Sequence, residues 1–465
     1  MTPDLLTGTT LRSRAARALG DSSLTRVLRK TTSYRDGLRQ QAESVLRNHD
    51  ELVAAARRIR ADNIAQLPAL LEQLADKWEE RGGQVFFAAD AHEANAYVVD
   101  VALERGVEHA VKSKSMLTEE IALNDALEAA GIDVVETDLG EWIVQLAGQP
   151  PSHILTPAVH LQRDDIQELF RNVDDRGADL SDAPEELAAF ARRELRRRFL
   201  QADLGITGCN FAVAETGTVT LVMNEGNGRM VTTLPPVHVA VMGMERIVAD
   251  WQQLDLLLHL LPRAATGQDI TVYVNHLTGP RDTGEMDGPE QSHLVIVDNG
   301  RSDMLGSEFR EMLHCIRCGA CLNTCPVYRQ IGGHGYGWSY SGPMGAVLAP
   351  LLHAAPEARE LPQASSLCGA CHDACPVGIP LQDLLLGLRR RETERQAPPS
   401  EAAAWRAWAA AWSRPATYRA TTSAAARLGR FVPPGLLPDG WTDSRAVPRP
   451  DPGGGFRARL RREGA

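Results

Sequence analysis

The chain is poor in aromatic residues, which make up 5% of it, and it contains four lysines. It has no uninterrupted apolar run near the roughly 18 residues that a membrane-spanning helix requires, so no transmembrane segment is predicted. The first residues do not combine a basic segment with an apolar core, and a secretory signal is therefore not expected. The composition, 43% hydrophobic and 23% charged, is typical of a globular protein of two or three domains.

Acidic residues outnumber basic ones, and the net charge of −11 argues against a nucleic-acid-binding protein. The balance is reversed near the end, because residues 389–465 hold 15 Arg and 7 acidic residues. Such asymmetry is typical of a basic tail that meets an acidic surface on its own body or on a partner. A solvated basic tail is the alternative.

Of the eight cysteines, seven lie in two short runs that each end in Cys-Pro. The first run, residues 315–326, has the spacing CxxCxxCxxxCP of bacterial ferredoxins, in which the fourth Cys ligates the other cluster. The second run spans residues 368–376 and holds three cysteines. The two runs therefore predict a pair of iron–sulphur clusters that exchange ligands. Thiolates of this kind need a reducing compartment, which predicts a cytoplasmic protein.

The exchange assigns each cysteine of the two runs to a cluster. The predicted ligands are Cys315, Cys318, Cys321 and Cys375 for the first cluster, and Cys325, Cys368 and Cys371 for the second. Ser365 stands where a complete second run has its first Cys. Three outcomes are open for the second cluster: a three-iron cluster, a four-iron cluster with Ser365, His372, His334 or another non-Cys ligand, or a four-iron cluster with one exposed iron. A zinc site is the competing interpretation, but seven cysteines divide poorly into sets of four.

Hydrophobic periodicity divides the chain into four predicted regions. Residues 1–82 read as helical, and residues 83–300 alternate strands, helices and Gly turns as a parallel α/β sheet does. This region is predicted to include a buried strand over residues 84–88 and a helical stretch over residues 118–130. Residues 301–392 hold the cysteine runs, and residues 393–465 form an extension rich in Arg and Trp. Within the extension, Trp405, Trp408 and Trp412 recur at helical spacing, which favours docking or core packing over a membrane-surface helix.

Several residues of the α/β region are candidates for binding or catalysis. Glu215 and Glu225 lie at strand ends beside glycines, and Arg229 could pair with the carboxylate of a 2-hydroxy acid. Hairpin turns with solvated charges are the competing interpretation. Lys112 and Lys114 could act as a point charge or a base, or form an ordinary surface turn.

The eighth cysteine, Cys209, stands alone and is flanked by strand-like residues. A buried and inert thiol is favoured there over a redox or catalytic role.

Segments distributed over residues 110–390 resemble one known family. They are residues 139–143 (LGEWI), 205–212 (GITGCNFA), 224–229 (NEGNGR) and 287–290 (DGPE), together with the two cysteine runs and the Gly-rich segments between them. On these residues the chain resembles the lactate utilization protein B family, iron–sulphur proteins of bacterial L-lactate oxidation. The incomplete second cysteine run is also a feature of that family.

The resemblance implies a Rossmann-like lactate-utilization domain, akin to the sugar-phosphate isomerase and CoA-transferase group, followed by an all-α two-cluster ferredoxin-type domain. It implies two partners, a Cys-rich subunit and a smaller protein built on the lactate-utilization domain, and membrane contact only through them. The favoured hypothesis is a non-catalytic electron-transfer subunit in the oxidation of L-lactate to pyruvate. The alternatives are a dehydrogenase with its substrate site in the α/β domain, and a structural scaffold in which the clusters only stabilise the fold.

Overall fold

The computed structural model describes residues 5–174, 177–396 and 398–428, and residue 460. It falls into two compact units, residues 1–390 and 391–465. The first unit begins with helices α1 (Leu11–Gly20), α2 (Ser22–Ser44), α3 (His49–Ala65) and α4 (Leu67–Glu79). Asp21 is the N-cap of helix α2, and its carboxylate accepts a hydrogen bond from the Leu24 N–H.

The α/β part follows with ten strands among the described residues. The strands are β1 (Gln84–Ala88), β2 (His109–Lys112), β3 (Asp133–Glu136), β4 (Leu204–Thr207), β5 (Phe211–Val213), β6 (Thr218–Met223), β7 (Val237–Gly243), β8 (Ile247–Val248), β9 (Tyr273–Leu277) and β10 (Gln291–Val297). The helices between them are α5 (Ala91–Glu104), α6 (Met116–Glu120), α7 (Leu123–Ala129), α8 (Leu139–Leu146), α9 (Arg163–Arg171), α10 (Pro184–Gln201), α11 (Asn227–Thr233) and α12 (Trp251–Thr266).

Six strands form one parallel sheet in the order β1-β10-β7-β4-β2-β3. Its central strand β7 is buried along its whole length, because side chains of alternating direction meet helices on both faces. Val239 and Val241 pack on the face covered by α5 and α7, and Met242 packs on the face covered by α4. The expected parallel α/β fold is therefore confirmed.

A second sheet has the order β8-β5-β6-β9, in which β6 is antiparallel to both β5 and β9. It packs through Ala212, Val219 and Ile247 onto α4. This sheet and α12 flank the carboxyl edge of β4 and β7, where the chain leaves the main sheet.

The segment expected to be one helix from residue 118 to residue 130 is instead the two helices α6 and α7. Ala122 between them has φ of +53°, in the left-handed region. In one continuous helix, Ile121 and Leu123 would point in opposite directions. The break turns both into the same core, where they are 3% and 0% exposed.

The cysteine runs lie in a helical part of the same unit, as expected for a ferredoxin-type domain. It contains α13 (Arg301–Leu305), α14 (Ala320–Thr324), α15 (Tyr328–Tyr336), α16 (Gly342–Leu352), α17 (Ala370–Asp373) and the start of α18 (Leu381–Gln396). Helices α2, α3 and α12 share its hydrophobic core. Buried Arg60 of α3 donates to the carbonyls of Glu245, Ile247, Leu313 and His314, which ties α3 to both the sheet and the cysteine region.

The second unit contains α19 (Pro399–Trp412) and α20 (Pro415–Leu428). Trp405, Trp408 and Trp412 lie on α19, as their spacing predicted, and their indoles are exposed and contact one another in sequence. Within the described residues these three side chains are not packed in a core, so the prediction of core packing is wrong. Docking stays a prediction. The rest of the predicted extension, residues 429–459 and 461–465, lies outside the described residues.

Candidate functional site

The first cysteine run follows a turn that ends at His314 and continues into α14. Arg317 and Gly319 have φ of +58° and +77°, so the backbone reverses its curvature twice between Cys315 and Cys321. The turn lets the Arg317 N–H lie 3.4 Å from Cys315 Sγ. Hydrogen bonds of this kind to the sulphurs are among the features that set cluster potentials.

Four of the predicted ligands surround one small cavity. It is lined by Cys315, Cys318, Cys321 and Cys375. Most of the remaining wall is apolar, with Met312, Ile316 and Ile379 among its residues. Burial in this wall raises the pKa of Cys375 to about 11 and raises that of Cys318 further. These are the four cysteines that the spacing assigned to the first cluster, and their role as ligands remains a prediction that this placement supports.

The other three predicted ligands form a second group. Burial, together with the nearby Cys325 and Cys368, raises the pKa of Cys371 to about 12. Cys325 and Cys371 are buried, whereas Cys368 is exposed. Hydrogen bonds from the Ala370 N–H and the Ser366 hydroxyl lower the pKa of Cys368. The second group therefore reaches the protein surface at Cys368, whereas three of the four cysteines of the first group are buried and Cys375 is half-buried.

Ser365 and the two histidines were the candidate substitutes for the missing Cys. The Tyr336 hydroxyl lies between Cys325 and the carbonyl of Ala364, which places the residue before Ser365 near the second group. His372 lies on α17 between Cys371 and Cys375. His334 Nε2 bonds the Pro150 carbonyl at 2.8 Å, and its ring packs against His160, so its neighbours are residues outside the cysteine runs.

Within the described ranges, no three His, Cys, Asp or Glu side chains are grouped closely enough to hold a single metal ion. In a four-iron cluster each Cys ligates a different iron, so its thiolates do not need to converge on one point. The donor set consists of soft thiolates in an apolar, largely buried wall, which suits iron–sulphur clusters.

A larger cavity, of about 440 Å³, opens at the carboxyl edge of the six-stranded sheet. Lys114, Asp138, Cys209 and Glu245 line it, and they follow β2, β3, β4 and β7 respectively. Loops from neighbouring strands diverge at this edge, which is where open α/β sheets bind ligands. Cys318 of the first cysteine run lines the same cavity. The cavity is therefore continuous with the wall of the predicted first cluster.

A buried charge network spans the cavity and the cysteine run. Arg301 bonds Glu120 through both terminal nitrogens, at 2.7 and 2.9 Å, and bonds Glu245 through Nε at 2.8 Å. Arg317 lies 3.4 Å from the other Glu245 oxygen and stacks over the Tyr340 ring. Burial alone would raise the pKa of Glu245, but Arg301 and its neighbouring arginines lower it to about 2. Glu245 is therefore ionised at neutral pH.

Lys112 and Lys114 occupy different environments. Lys112 is fully buried and pairs with Glu136 at 2.7 Å and Glu119 at 3.0 Å, so it is a structural ion pair and neither a surface turn nor a free base. Lys114 reaches the cavity, 3.9 Å from Glu141. Burial raises the pKa of Glu141 well above its usual value.

The remaining candidates divide between the cavity and the surface. Glu215 is exposed in the turn between β5 and β6, as the hairpin interpretation expects. Glu225 stands at the cavity lining, whereas Arg229 lies outside it and stacks over Tyr273. Cys209 lines the cavity, and burial raises its pKa to about 12, which fits an inert thiol.

The arginines and acids of the charge network were not among the site residues predicted from the sequence. Glu245 and Arg246 directly follow β7, and Arg301 follows β10, so their position at the carboxyl ends of predicted strands was the available signal. Arg317 was visible as the one charged residue inside the first cysteine run.

The fold and the cysteine groups define a class of protein: an α/β domain joined to a two-cluster ferredoxin-type domain. The profile of the LUD domain matches residues 71–297, that of the 4Fe-4S dicluster domain matches 311–379, and that of the lactate utilisation protein B C-terminal region matches 389–465. The chain belongs to the lactate utilization protein B family.

Two relatives illustrate the similarity. Lactate utilization protein B of Oceanobacillus iheyensis is 51% identical over 90% of this chain and 88% of its own length. That of Shouchella clausii is 50% identical over 88% of each chain. A crystal structure of a DUF162 family protein from Deinococcus radiodurans matches 50% of this chain and 98% of its own, with 16% identity and a TM-score of 0.28. Among the described residues, no helix is both long and apolar enough to cross a membrane.

Proposed function

We propose that this chain is the iron–sulphur electron-transfer subunit of a system that oxidises L-lactate to pyruvate. The observation that carries the proposal is the grouping of the seven cysteines into two sets. The set of four is largely buried, with Cys375 half-buried, and the set of three reaches the surface. The LUD and dicluster matches, and the family to which the chain belongs, supply the metabolic context.

The first set, Cys315, Cys318, Cys321 and Cys375, would hold a four-iron cluster, and Cys325, Cys368 and Cys371 would hold the second. When bound, such clusters accept and release one electron at a time. The second is a three-iron cluster, or a four-iron cluster with a non-Cys ligand or an exposed iron. Ser365 is the strongest candidate for that ligand, because its neighbour Ala364 lies beside Tyr336 and Cys325.

Exposure indicates where this subunit would exchange electrons with a partner. Cys315, Cys318 and Cys321 are at most 9% exposed, and apolar side chains keep water from them. Cys368 of the second set is exposed. A partner protein would therefore exchange electrons with this subunit at the surface near Cys368, and the buried set would lie further from that contact. We infer two partners, a Cys-rich subunit and a smaller LUD-domain protein.

The test is to purify the chain anaerobically, verify its clusters by absorbance and EPR, and add L-lactate with and without the partner proteins. We expect cluster reduction only when the partners are present. Cys318→Ala should abolish this lactate-dependent reduction, whereas Cys209→Ala should leave it unchanged. Reduction by lactate without partners, or full reduction in Cys318→Ala, would contradict the proposal.

A further inference from the structure

The cavity at the carboxyl edge of the sheet is lined by both polar and apolar side chains. Arg246, Arg317 and Glu245 form a charged group beside Cys318, here called the polar end, and Leu221, Leu261 and Ala265 are among the apolar lining residues. A volume of about 440 Å³ lies within the range of small-molecule sites, which are mostly apolar with a few convergent polar groups.

The polar end carries unneutralised positive charge. Three guanidinium groups, on Arg246, Arg301 and Arg317, face the two carboxylates of Glu120 and Glu245. Arg301 makes the short hydrogen bonds to both carboxylates. The second oxygen of Glu245, Oε1, lies 3.4 Å from Arg317 Nη2 and 3.9 Å from Arg246 Nε. These distances exceed the 2.7–2.9 Å of a good charge-assisted bond. One positive charge in the network is thus left without a carboxylate of its own.

Arg317 has an unused hydrogen-bond donor, and Arg246 lies near it in the cavity lining. The Arg317 side chain is 8% exposed, and its Nε has no hydrogen-bond partner among the described residues. Arg246 is 12% exposed and donates from Nη1 to the Cys315 carbonyl at 3.3 Å. Unpaired buried donors are costly unless a ligand accepts from them, and a planar guanidinium matches a carboxylate.

We propose that this cavity binds a small carboxylate of the 2-hydroxy or 2-oxo acid class, with Arg246 and Arg317 receiving its carboxylate beside the first cysteine run. The acid class rests on the proposed function, whereas the anion site rests on the arginines alone. Arg317 lies between Cys315 and Cys318 in sequence, so the bound acid would lie next to a ligand of the first cluster. Substrate recognition would then belong to this chain, whichever subunit completes the oxidation.

The test is isothermal titration calorimetry of the full-length, cluster-loaded, oxidised chain with L-lactate, pyruvate and L-lactamide. L-lactamide keeps the shape of lactate and loses its charge. We expect at least one of the two acids to bind and L-lactamide not to bind. Binding of the amide as tightly as the acid would contradict a carboxylate site, and so would the failure of both acids to bind at millimolar concentration.

Two variants locate the site. Arg246→Gln removes one cation outside the cysteine run, and Ala265→Leu fills the cavity without changing its charge; each should weaken binding about tenfold or more. Arg105→Gln is the matched control, because Arg105 precedes β2 at the opposite edge of the sheet and pairs with Glu290. Iron content and EPR spectra would establish that each variant keeps its clusters. Unchanged affinity in both cavity variants would overturn the site.

The outcomes separate this inference from the proposed function. If Arg246→Gln shifts the reduction potential of the first cluster but neither acid binds, the arginines serve only to offset cluster charge, and the inference is wrong while electron transfer stands. If the acids bind but the clusters of the loaded chain are not reduced by L-lactate in the presence of the partners, the proposed function fails and the anion site stands.

Discussion

Single buried arginines hold this molecule together at points where helices meet the sheet. Arg60 is 1% exposed, and its guanidinium donates hydrogen bonds to four backbone carbonyls. None of these four acceptors is a carboxylate. Two of these carbonyls, on Leu313 and His314, directly precede Cys315. The burial of Arg60 and the neighbouring Arg246 lower its pKa to about 10, so it stays charged at neutral pH.

We predict that Arg60→Met lowers the free energy of unfolding by about 2–4 kcal/mol, because buried carbonyls lose a charged donor. The shift of the denaturant midpoint would measure it. Arg58→Met is the matched control, since Arg58 lies on the same helix and is exposed. Equal destabilisation by the two substitutions would contradict this role of Arg60.

The Cys209 thiol should be unreactive even though it lines the cavity. Burial raises its pKa to about 12, above the usual range of a cysteine thiol, so the thiol stays protonated at pH 8 and loses its proton only near pH 12. Iodoacetamide at pH 8 should leave Cys209 of the cluster-loaded chain unmodified, as read by peptide mass spectrometry. Rapid alkylation of Cys209 at that pH would show that the thiol is not shielded.

At the scale of elements, the two cysteine segments differ in how firmly the fold holds them. The first run is enclosed by α2, α3, α14 and α16 in one hydrophobic core. The start of the second run is looser: Leu367 adopts φ of +55°, Ser365 and Leu367 are half-buried, and Cys368 is exposed. The missing ligand therefore belongs to the more accessible of the two segments.

Ser365→Cys should supply a fourth thiolate to the second cluster. We expect a changed EPR signal for that cluster and an unchanged signal for the first, because Ser365 follows Ala364, whose carbonyl accepts a hydrogen bond from Tyr336 beside Cys325. Gln363→Cys is the control, since Gln363 is an exposed residue of the same segment. An identical spectrum in wild type and Ser365→Cys would place residue 365 outside the cluster's reach.

At the scale of the whole molecule, the cavity at the sheet edge adjoins the buried set of cysteines through Cys318, and the second set reaches the surface at Cys368. An electron added to the first cluster would raise negative charge beside Arg317 and Cys318. By thermodynamic linkage, the reduced chain should bind a carboxylate more weakly than the oxidised chain, by roughly fivefold or more. Titration of the dithionite-reduced chain with the same acid would measure the difference. Equal affinities would show that the cavity and the cluster are not coupled.

The local features of this molecule could be predicted and the long-range ones could not. Strand β1 was placed residue for residue from its apolar run, and the cysteine sets from spacing alone. The break at Ala122 was missed, because alanine favours helix and the left-handed turn is imposed by the core around Ile121 and Leu123. The pairing of Glu120 with Arg301 and Tyr340 joins residues about 180 and 220 positions apart, which no periodicity encodes.

The exchange of ligands between the two runs is the central claim, and one comparison tests it. EPR spectra of the reduced Cys318→Ala, Cys375→Ala and Cys371→Ala variants should show which cluster each substitution removes. We predict that Cys375→Ala loses the same signal as Cys318→Ala and keeps the signal that Cys371→Ala loses, although Cys375 lies four residues from Cys371. If Cys375→Ala instead matches Cys371→Ala, each run holds its own cluster and the account of crossed sets is wrong.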